Sequence, residues 1–111
     1  MIKLNITDET SRLRAVILGT ALSNGGVPKL EDAYDPKSIL HIKQKTYPKE
    51  EDMVAEMNAV EEVFNKYGVQ VFRPKLIADY NQIFARDIGF VIEDTFIKAN
   101  ILPDREQEIE A

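Results

Sequence analysis

A helical stripe of apolar residues over positions 48–67 is the feature of this 111-residue sequence that most constrains its fold. Its members follow one another at spacings of four, three, four and three residues, which is one face of an α-helix: Met53, Met57, Val60, Phe64 and Tyr67. Acidic residues open the segment, and Gly68 follows it as a left-handed C-terminal cap requires. The sequence therefore predicts a long amphipathic helix whose other face, with Glu56 and Glu62, is exposed to water.

Four short segments are predicted as β-strands. They cover residues 13–18, 69–73, 89–92 and 95–99, with Gly19 ending the first and Pro74 the second. Glu93 and Asp94 form a two-residue loop between the last two segments, which predicts a hairpin. A hairpin argues against an all-parallel sheet, so the fold class is α/β or, more narrowly, α+β.

A shorter helix is predicted from Asp35 and Pro36, which are typical of an N-cap followed by proline at the first helical position. We expect this helix to turn Ile39, Leu40 and Ile42 inward. The preceding loop, residues 20–35, contains two adjacent glycines and a proline, which indicates a mobile segment.

A final helix is expected to begin at Asp104, with Gln107 three residues later as in a capping box. No glycine, proline or basic last turn ends this helix within the sequence. A helix that short is unstable in isolation, so we interpret the 111 residues as part of a longer protein.

Charge and composition exclude several classes of function. The chain carries 14 basic and 19 acidic residues, a formal net charge of −5, which argues against a nucleic acid or an anionic membrane as partner. Its apolar runs are far shorter than the roughly 20 residues of a membrane span, and no signal peptide is recognised, so a cytoplasmic location is expected. With no cysteine and one histidine, the chain cannot build a disulfide framework, a zinc finger or an iron–sulfur site.

The residues that are the best candidates for ligand binding lie in the segment from Asn81 to Gly89. Arg86 and Asp87 come just before a predicted strand, where neighbouring side chains would point to opposite faces. The carboxylate of Asp87 suits a guanidinium or ammonium ligand, because its two oxygens can accept a planar fork of donors. The alternative is that Asp87 pairs with an arginine of the protein or caps a turn.

An ordered set of motifs accompanies this pair and covers nearly the whole chain. It comprises Phe84-x-Arg86-Asp87, Asn81 six residues before the aspartate, and Arg105-x-x-Glu108 beginning eighteen residues after it. Together with the first strand, the amphipathic helix and the second strand, the set resembles the guanidine-modifying enzyme superfamily. Its members include arginine deiminases, dimethylarginine dimethylaminohydrolases and amidinotransferases.

The resemblance implies a fold and a division of roles. The fold is a five-bladed, pseudo-symmetric α/β propeller (pentein-like), of which this chain would supply one blade and the start of the next. Asp87 would hold the guanidinium of the substrate, Asn81 would lie near it, and Arg105 would bind a substrate carboxylate. Arg86 would form a structural ion pair, and residues 20–35 would be the mobile lid over the site. No metal or organic cofactor is implied.

The chemistry of this superfamily needs a cysteine nucleophile and a proton-shuttling histidine, which this chain does not supply. His41 matches no catalytic position and is interpreted as a partly exposed helix residue. We therefore expect no catalytic residue here and no activity of the 111 residues alone. The expected partners are a small guanidino substrate and the remainder of the same protein; hydrolase and transferase both remain open.

A different class of function stays open beside the enzyme. The chain would then be a non-catalytic α/β binding or interaction module without turnover. Such a module is expected to expose apolar sheet and helix surface and so to form a homo-oligomer.

Overall fold

The computed structural model describes residues 2–111, which fold as a mixed α+β chain. Its elements are β1 (Ala15–Ile17), α1 (Pro36–Gln44), α2 (Glu50–Lys66), β2 (Gln70–Phe72), β3 (Gly89–Ile92), β4 (Thr95–Lys98) and α3 (Gln107–Glu110). Short 3₁₀ turns lie at Leu30–Asp32, Ala85–Ile88 and Pro103–Arg105. The predicted strands and the two longer helices are thus confirmed, with the strands one to three residues shorter than expected or equal in length.

The first sheet is a parallel pair joined by α2. Ala15 lies opposite Gln70 and Ile17 opposite Phe72. Parallel strands need a long crossover, and here the loop, α1 and α2 supply it. The backbone N–H of Leu18 extends the pairing by donating to the carbonyl oxygen of Phe72 at 2.9 Å.

The end of α2 confirms the predicted glycine cap. Gly68 adopts a φ of 71°, which favours glycine. Its N–H donates to the Asn65 carbonyl at 3.0 Å, and the N–H of Val69 donates to the Phe64 carbonyl at 2.9 Å. This pair of bonds is the Schellman arrangement, and it directs the chain from the helix straight into β2.

The buried stripe of α2 differs from the predicted one. Met53, Met57 and Phe64 are half-buried as expected, but Val60 and Tyr67 are exposed. Glu61 takes the inward position because its carboxylate pairs with Arg73 at 2.6 Å. Arg73 also donates to the Gly19 carbonyl oxygen at 2.5 Å, so one guanidinium connects α2 with the ends of β1 and β2.

The second sheet is the predicted hairpin. Phe90 pairs with Ile97 and Val91 with Phe96 in an antiparallel register. Glu93 in the two-residue turn has a φ of 53°, which allows the tight reversal. Ile6 makes an isolated bridge to Glu93, so the N-terminal segment runs beside the turn.

The sequence signal for the start of α1 is confirmed, whereas the one for the start of α3 is wrong. The Asp35 side chain accepts from the Ser38 N–H at 2.8 Å, which confirms the N-cap of α1, although Leu40 faces solvent rather than inward. Asp104 lies inside the 3₁₀ turn Pro103–Arg105, so the predicted cap and capping box are wrong. The residue before α3 is Glu106, which makes no side-chain cap bond.

Burial is sparse in this chain. Within residues 2–111 the apolar side chains that are fully buried are Ala21 and Val69, and the buried polar ones are Gln82 and Glu108. In the same described range, no helix combines the length and the apolar character needed to cross a bilayer.

The Asp8 carboxylate holds a local turn together, and the stability of this turn is expected to depend on pH. It accepts hydrogen bonds from the Ser11 hydroxyl at 2.6 Å and from the Ser11 and Thr10 backbone N–H groups, and these lower its pKa to about 2. A lowered folded pKa means that the turn is fully formed above about pH 4 and is lost as the pH falls through about 2. A carbon-13 carboxyl titration should show this midpoint, and Ser11→Ala should move it toward 3.8; an unperturbed Asp8 would contradict the turn.

Candidate functional site

Arg86 and Asp87 lie in the 3₁₀ turn Ala85–Ile88, directly before β3. The Asp87 N–H closes this turn by donating to the Phe84 carbonyl at 3.0 Å. The expectation that the two side chains would occupy opposite faces of a strand is wrong, because the strand begins only at Gly89. The turn leaves the Asp87 side chain 41% exposed and that of Arg86 85% exposed.

The guanidinium of Arg105 joins two carboxylates at this site. Its Nη1 lies 3.0 Å from Asp87 Oδ2, and its Nε lies 2.6 Å from Glu108 Oε2. The Glu108 side chain is only 4% exposed and that of Arg105 is 23% exposed. The C-terminal segment thereby brings together two residues that the sequence analysis had given separate ligand roles.

Two carboxylates and two guanidinium groups make up this cluster, so its formal charges balance. The hydrogen bond that Arg105 donates to Glu108, opposed by partial burial and assisted by the bond to Asp87, raises the pKa of Arg105 above its ordinary value. Arg105 is therefore charged at any physiological pH, and one cation serves two carboxylates. Among the described residues, the ion pair to the second oxygen of Asp87 comes from Arg86, with Nε at 3.6 Å. That distance is too long for a hydrogen bond, and an exposed pair of this kind contributes little.

The side chain of Asn81 makes a hydrogen bond within its own loop. Its side-chain oxygen accepts from the Ile83 N–H at 3.1 Å, which is an Asx turn. Among the hydrogen bonds of residues 2–111, none joins Asn81 to Asp87 or Arg105. The side-chain amide group stays exposed, and its proposed position near a substrate remains a prediction.

Gln82 is the residue at this site that the sequence analysis did not single out. It is 2% exposed, its Oε1 accepts from the Ile77 N–H at 2.8 Å, and its Nε2 donates to the Lys75 carbonyl at 2.9 Å. Its backbone carbonyl accepts from the Thr20 N–H at 3.0 Å. Gln82 therefore fastens the loop after β2 to the end of β1, and nothing in the local sequence distinguishes it from an exposed glutamine.

A cavity of about 360 Å³ lies between the two sheets and α3. Its apolar lining includes Ile17, Phe72, Pro74, Ile88, Phe96 and Ile109. Glu108 reaches the wall, and so does Ala85 from the turn that carries Asp87, but Asp87 itself does not line it. The cavity would suit an aliphatic group, whereas the charged cluster lies at its border.

Two other expectations fall on residues 20–35 and on His41. Ser23 ties the start of the loop down, because its N–H donates to Glu50 Oε1 at 2.8 Å and its hydroxyl accepts from the Asp79 N–H at 2.9 Å. The role of this loop as a lid stays a prediction.

His41 is exposed, as expected, with Nδ1 2.8 Å from the Thr46 hydroxyl.

Within residues 2–111, no group of three or more histidine, acidic or cysteine side chains is arranged to hold a metal ion. Comparisons with protein-family models, with curated proteins and with solved structures find no match to this chain. Its function must therefore be inferred from the side chains around Asp87 and from the resemblance in sequence.

Proposed function

We propose that this chain supplies the guanidinium-binding carboxylate, Asp87, of an amidinotransferase-like enzyme or guanidino-group hydrolase acting on arginine or an arginine derivative. The observation that carries the proposal is the exposure of the Asp87 carboxylate, whose side chain is 41% exposed although Oδ2 already bonds to the guanidinium of Arg105 at 3.0 Å. Within the described residues, the other oxygen of this carboxylate, Oδ1, accepts no hydrogen bond and lies 3.6 Å from Nε of Arg86. The side chain is also exposed enough for a small ligand to reach it.

The carboxylate of Asp87 suits a cationic ligand, although the cluster as a whole is neutral. Asp87 and Glu108 carry two negative charges, which Arg105 and the exposed Arg86 balance. A guanidinium binds a carboxylate through parallel N–H donors, and such charge-assisted bonds are about twice as strong as neutral ones. Arginine-like compounds therefore fit this carboxylate better than simple ammonium ions, which lack the planar fork.

In this proposal the 111 residues belong to a five-bladed α/β propeller and provide one blade and the start of the next. The βαβ unit from β1 to β2, followed by the hairpin, is compatible with that assignment. The chain contains no cysteine, so the nucleophile that forms the covalent intermediate would come from polypeptide outside these residues. The 111 residues alone are then expected to bind but not to turn over a substrate.

Titration of the chain with agmatine or L-arginine, followed by amide NMR, tests the role of Asp87. We expect saturable shifts at the amides of residues 86–89, and Asp87→Asn should weaken binding by about tenfold or more, because a charge-assisted bond is replaced by a neutral one. Asp94→Asn is the matched control, since it removes an exposed acid in the hairpin turn and should leave affinity unchanged. Equal binding by both variants would contradict the proposal.

The competing function is a module without turnover in which Asp87 is purely structural. It is favoured by the fact that Arg105 already occupies one oxygen of Asp87 from within the chain. The same titration separates the two, because a structural Asp87 predicts no shifts at residues 86–89 with either ligand. Asp87→Asn would then change only the stability of the turn that precedes β3.

A further inference from the structure

Asn24 lies in a tight turn of the loop that follows β1, and both ends of its side-chain amide are hydrogen-bonded. Its Oδ1 accepts from the Gly26 N–H at 2.9 Å, which is an Asx turn. Its Nδ2 donates to the carbonyl oxygen of Ala21 at 2.9 Å. The Asx turn closes a ring of atoms that includes the peptide nitrogen of Gly25, so the amide carbon Cγ of Asn24 is held close to that nitrogen.

The peptide nitrogen of Gly25 is free to react with this amide carbon. In the part of the chain that the structure describes, the Gly25 N–H donates no hydrogen bond, and the residue is exposed. Glycine has no Cβ atom, so no side chain on residue 25 obstructs the approach of its nitrogen to Cγ of Asn24. Solvent can also reach the N–H to remove its proton.

Asn81 provides a comparison within the same chain. Its Oδ1 also accepts from the N–H two residues further on, that of Ile83, at 3.1 Å. The residue that follows it is Gln82, whose side chain is buried and bonded to the backbone of its own loop. The nitrogen of Gln82 therefore carries an immobilised side chain and cannot move freely toward Asn81. Of these two Asx turns, that of Asn24 has the unhindered nitrogen.

We propose that Asn24 is a site of spontaneous deamidation, and that its conversion releases the loop at residues 21–26 from residues 79 and 80. Asparagine is one of the thermolabile residues of proteins, and two reacting atoms that are held together need little further ordering. Water is the co-reactant, so the reaction needs no enzyme and no cofactor. This proposal does not depend on guanidinium binding.

The reaction has two steps. A solvent base takes the proton from the Gly25 nitrogen, which attacks Cγ of Asn24 while the carbonyl electron pair moves to Oδ1. The Gly26 N–H already bonds to Oδ1, so it stabilises the negative charge that develops there. The bond from Cγ to Nδ2 then breaks, Nδ2 takes protons from water and leaves as ammonia, and a cyclic imide remains. Water adds to either imide carbonyl and opens the ring to aspartate or isoaspartate.

The turn at Asn24 is attached to the rest of the chain through the preceding residue, Ser23. The Ser23 N–H donates to Glu50 Oε1 at 2.8 Å, and the Ser23 hydroxyl accepts from the Asp79 N–H at 2.9 Å. The Ser23 carbonyl oxygen accepts from the Tyr80 N–H at 2.9 Å. A change in the shape of the turn therefore acts directly on the contact between this loop and residues 79 and 80.

Deamidation removes the bond that gives the turn its shape. Neither aspartate nor isoaspartate has an N–H to donate to the carbonyl of Ala21, a residue that is only 1% exposed. A buried carbonyl thus loses its donor and faces a negative charge instead. The new carboxylate also lies one residue from Ser23, whose N–H already binds the carboxylate of Glu50, and like charges repel. The bonds made by Ser23 should weaken as a result.

Mass spectrometry of the 111-residue chain, incubated at mildly alkaline pH, measures the reaction. We expect the peptide that contains Asn24 to gain the mass difference between an amide and an acid at a rate about tenfold or more above that of Asn81 in the same sample. The folded chain should react at least as fast at Asn24 as the chain in urea, because the turn holds the reacting atoms together. Equal rates at Asn24 and Asn81 in the folded chain would overturn the proposal. So would an Asn24 that reacts in urea and stays intact in the folded chain, because the turn would then be protective.

Hydrogen exchange tests the release of the loop, with Asn24→Asp as a copy of the aspartate product. The amides of Asp79 and Tyr80 should exchange about tenfold faster in this variant. Asn100→Asp is the matched control, since it makes the same change at an exposed position after β4 and should leave both amides unaltered. The deamidated wild-type chain, purified by ion exchange, should show the same acceleration as Asn24→Asp. If exchange in Asn24→Asp matched that in Asn100→Asp, the loop would not be released. None of these results would bear on the titration of Asp87 with guanidinium ligands.

Discussion

Replacing Gly19 with alanine is expected to lower the free energy of unfolding by about 3 kcal/mol, at the upper end of what overpacking usually costs. A Cβ atom at this position would overlap the carbonyl oxygens of Gln82 and Ile83, and it would lie 2.7 Å from the carbonyl carbon of Ile83. These are backbone atoms, so no side chain can rotate away to make room. The glycine is needed for this close approach.

The close approach at Gly19 is held by several bonds at once. The Thr20 N–H donates to the Gln82 carbonyl at 3.0 Å, and Arg73 donates to the Gly19 carbonyl at 2.5 Å. Pushing the loop at residues 82–83 away to admit a methyl group would stretch the Thr20–Gln82 bond, and moving Gly19 instead would stretch the bond from Arg73. The loss would also loosen Gln82, whose buried side chain is bonded to the backbone of residues 75 and 77.

Urea denaturation of Gly19→Ala measures the expected loss, with Gly26→Ala as control. An added Cβ at Gly26 meets nothing within 4 Å, although its φ of 71° makes alanine unfavourable there. The control should therefore lose only about 1 kcal/mol, from backbone conformation alone. Equal losses for the two variants would mean that the loop at residues 82–83 yields easily.

The parts of the fold that follow from neighbouring residues could be predicted from the sequence. Asp35 caps α1 and Gly68 ends α2, because each signal acts on backbone groups within a few positions of itself. The hairpin also follows from two short β-rich segments around a two-residue turn. In these cases the groups that interact in space are also close to one another in the sequence.

The parts that depend on distant partners could not be predicted. Glu61 takes the place of Val60 in the buried stripe of α2 because its carboxylate accepts a hydrogen bond from Arg73, which lies twelve residues further along the chain. Gln82 is buried because its side chain bonds to two backbone groups of its own loop, at residues 75 and 77. No pattern in the sequence predicts these bonds. That Asp87 pairs with an arginine of the protein is an alternative that the sequence leaves open, but the sequence does not identify the partner as Arg105, which lies eighteen residues away and meets Asp87 at 3.0 Å.

The Glu108→Ala substitution is expected to cost about 2–3 kcal/mol, which is less than the 3–5 kcal/mol usual for breaking a fully buried ion pair. The Glu108 side chain is 4% exposed and accepts from Arg105 Nε at 2.6 Å, so its loss leaves a largely buried guanidinium without its closest partner. The cost is reduced because Arg105 keeps Asp87 at 3.0 Å and is itself 23% exposed, which allows some hydration.

This loss should act first on the docking of the C-terminal segment, residues 103–111. The segment is held by Arg105, by the Tyr80 hydroxyl donating to the Asp104 carbonyl, and by the Lys75 N–H donating to the Ala111 carbonyl at 2.8 Å. Hydrogen exchange at the Lys75 amide should therefore accelerate in Glu108→Ala before global unfolding is affected. Glu108→Gln keeps an acceptor for Arg105 and should lose only about 1 kcal/mol.

Glu110→Ala is the matched control for this substitution, because it removes an exposed acid from the same short helix. It should change stability by less than about 0.5 kcal/mol and leave the exchange of the Lys75 amide unaltered. If Glu108→Ala behaved like Glu110→Ala, the buried pair would not hold the segment. Asp87 would then meet Arg105 without a fixed geometry, and its carboxylate would be a poor candidate for orienting a planar ligand.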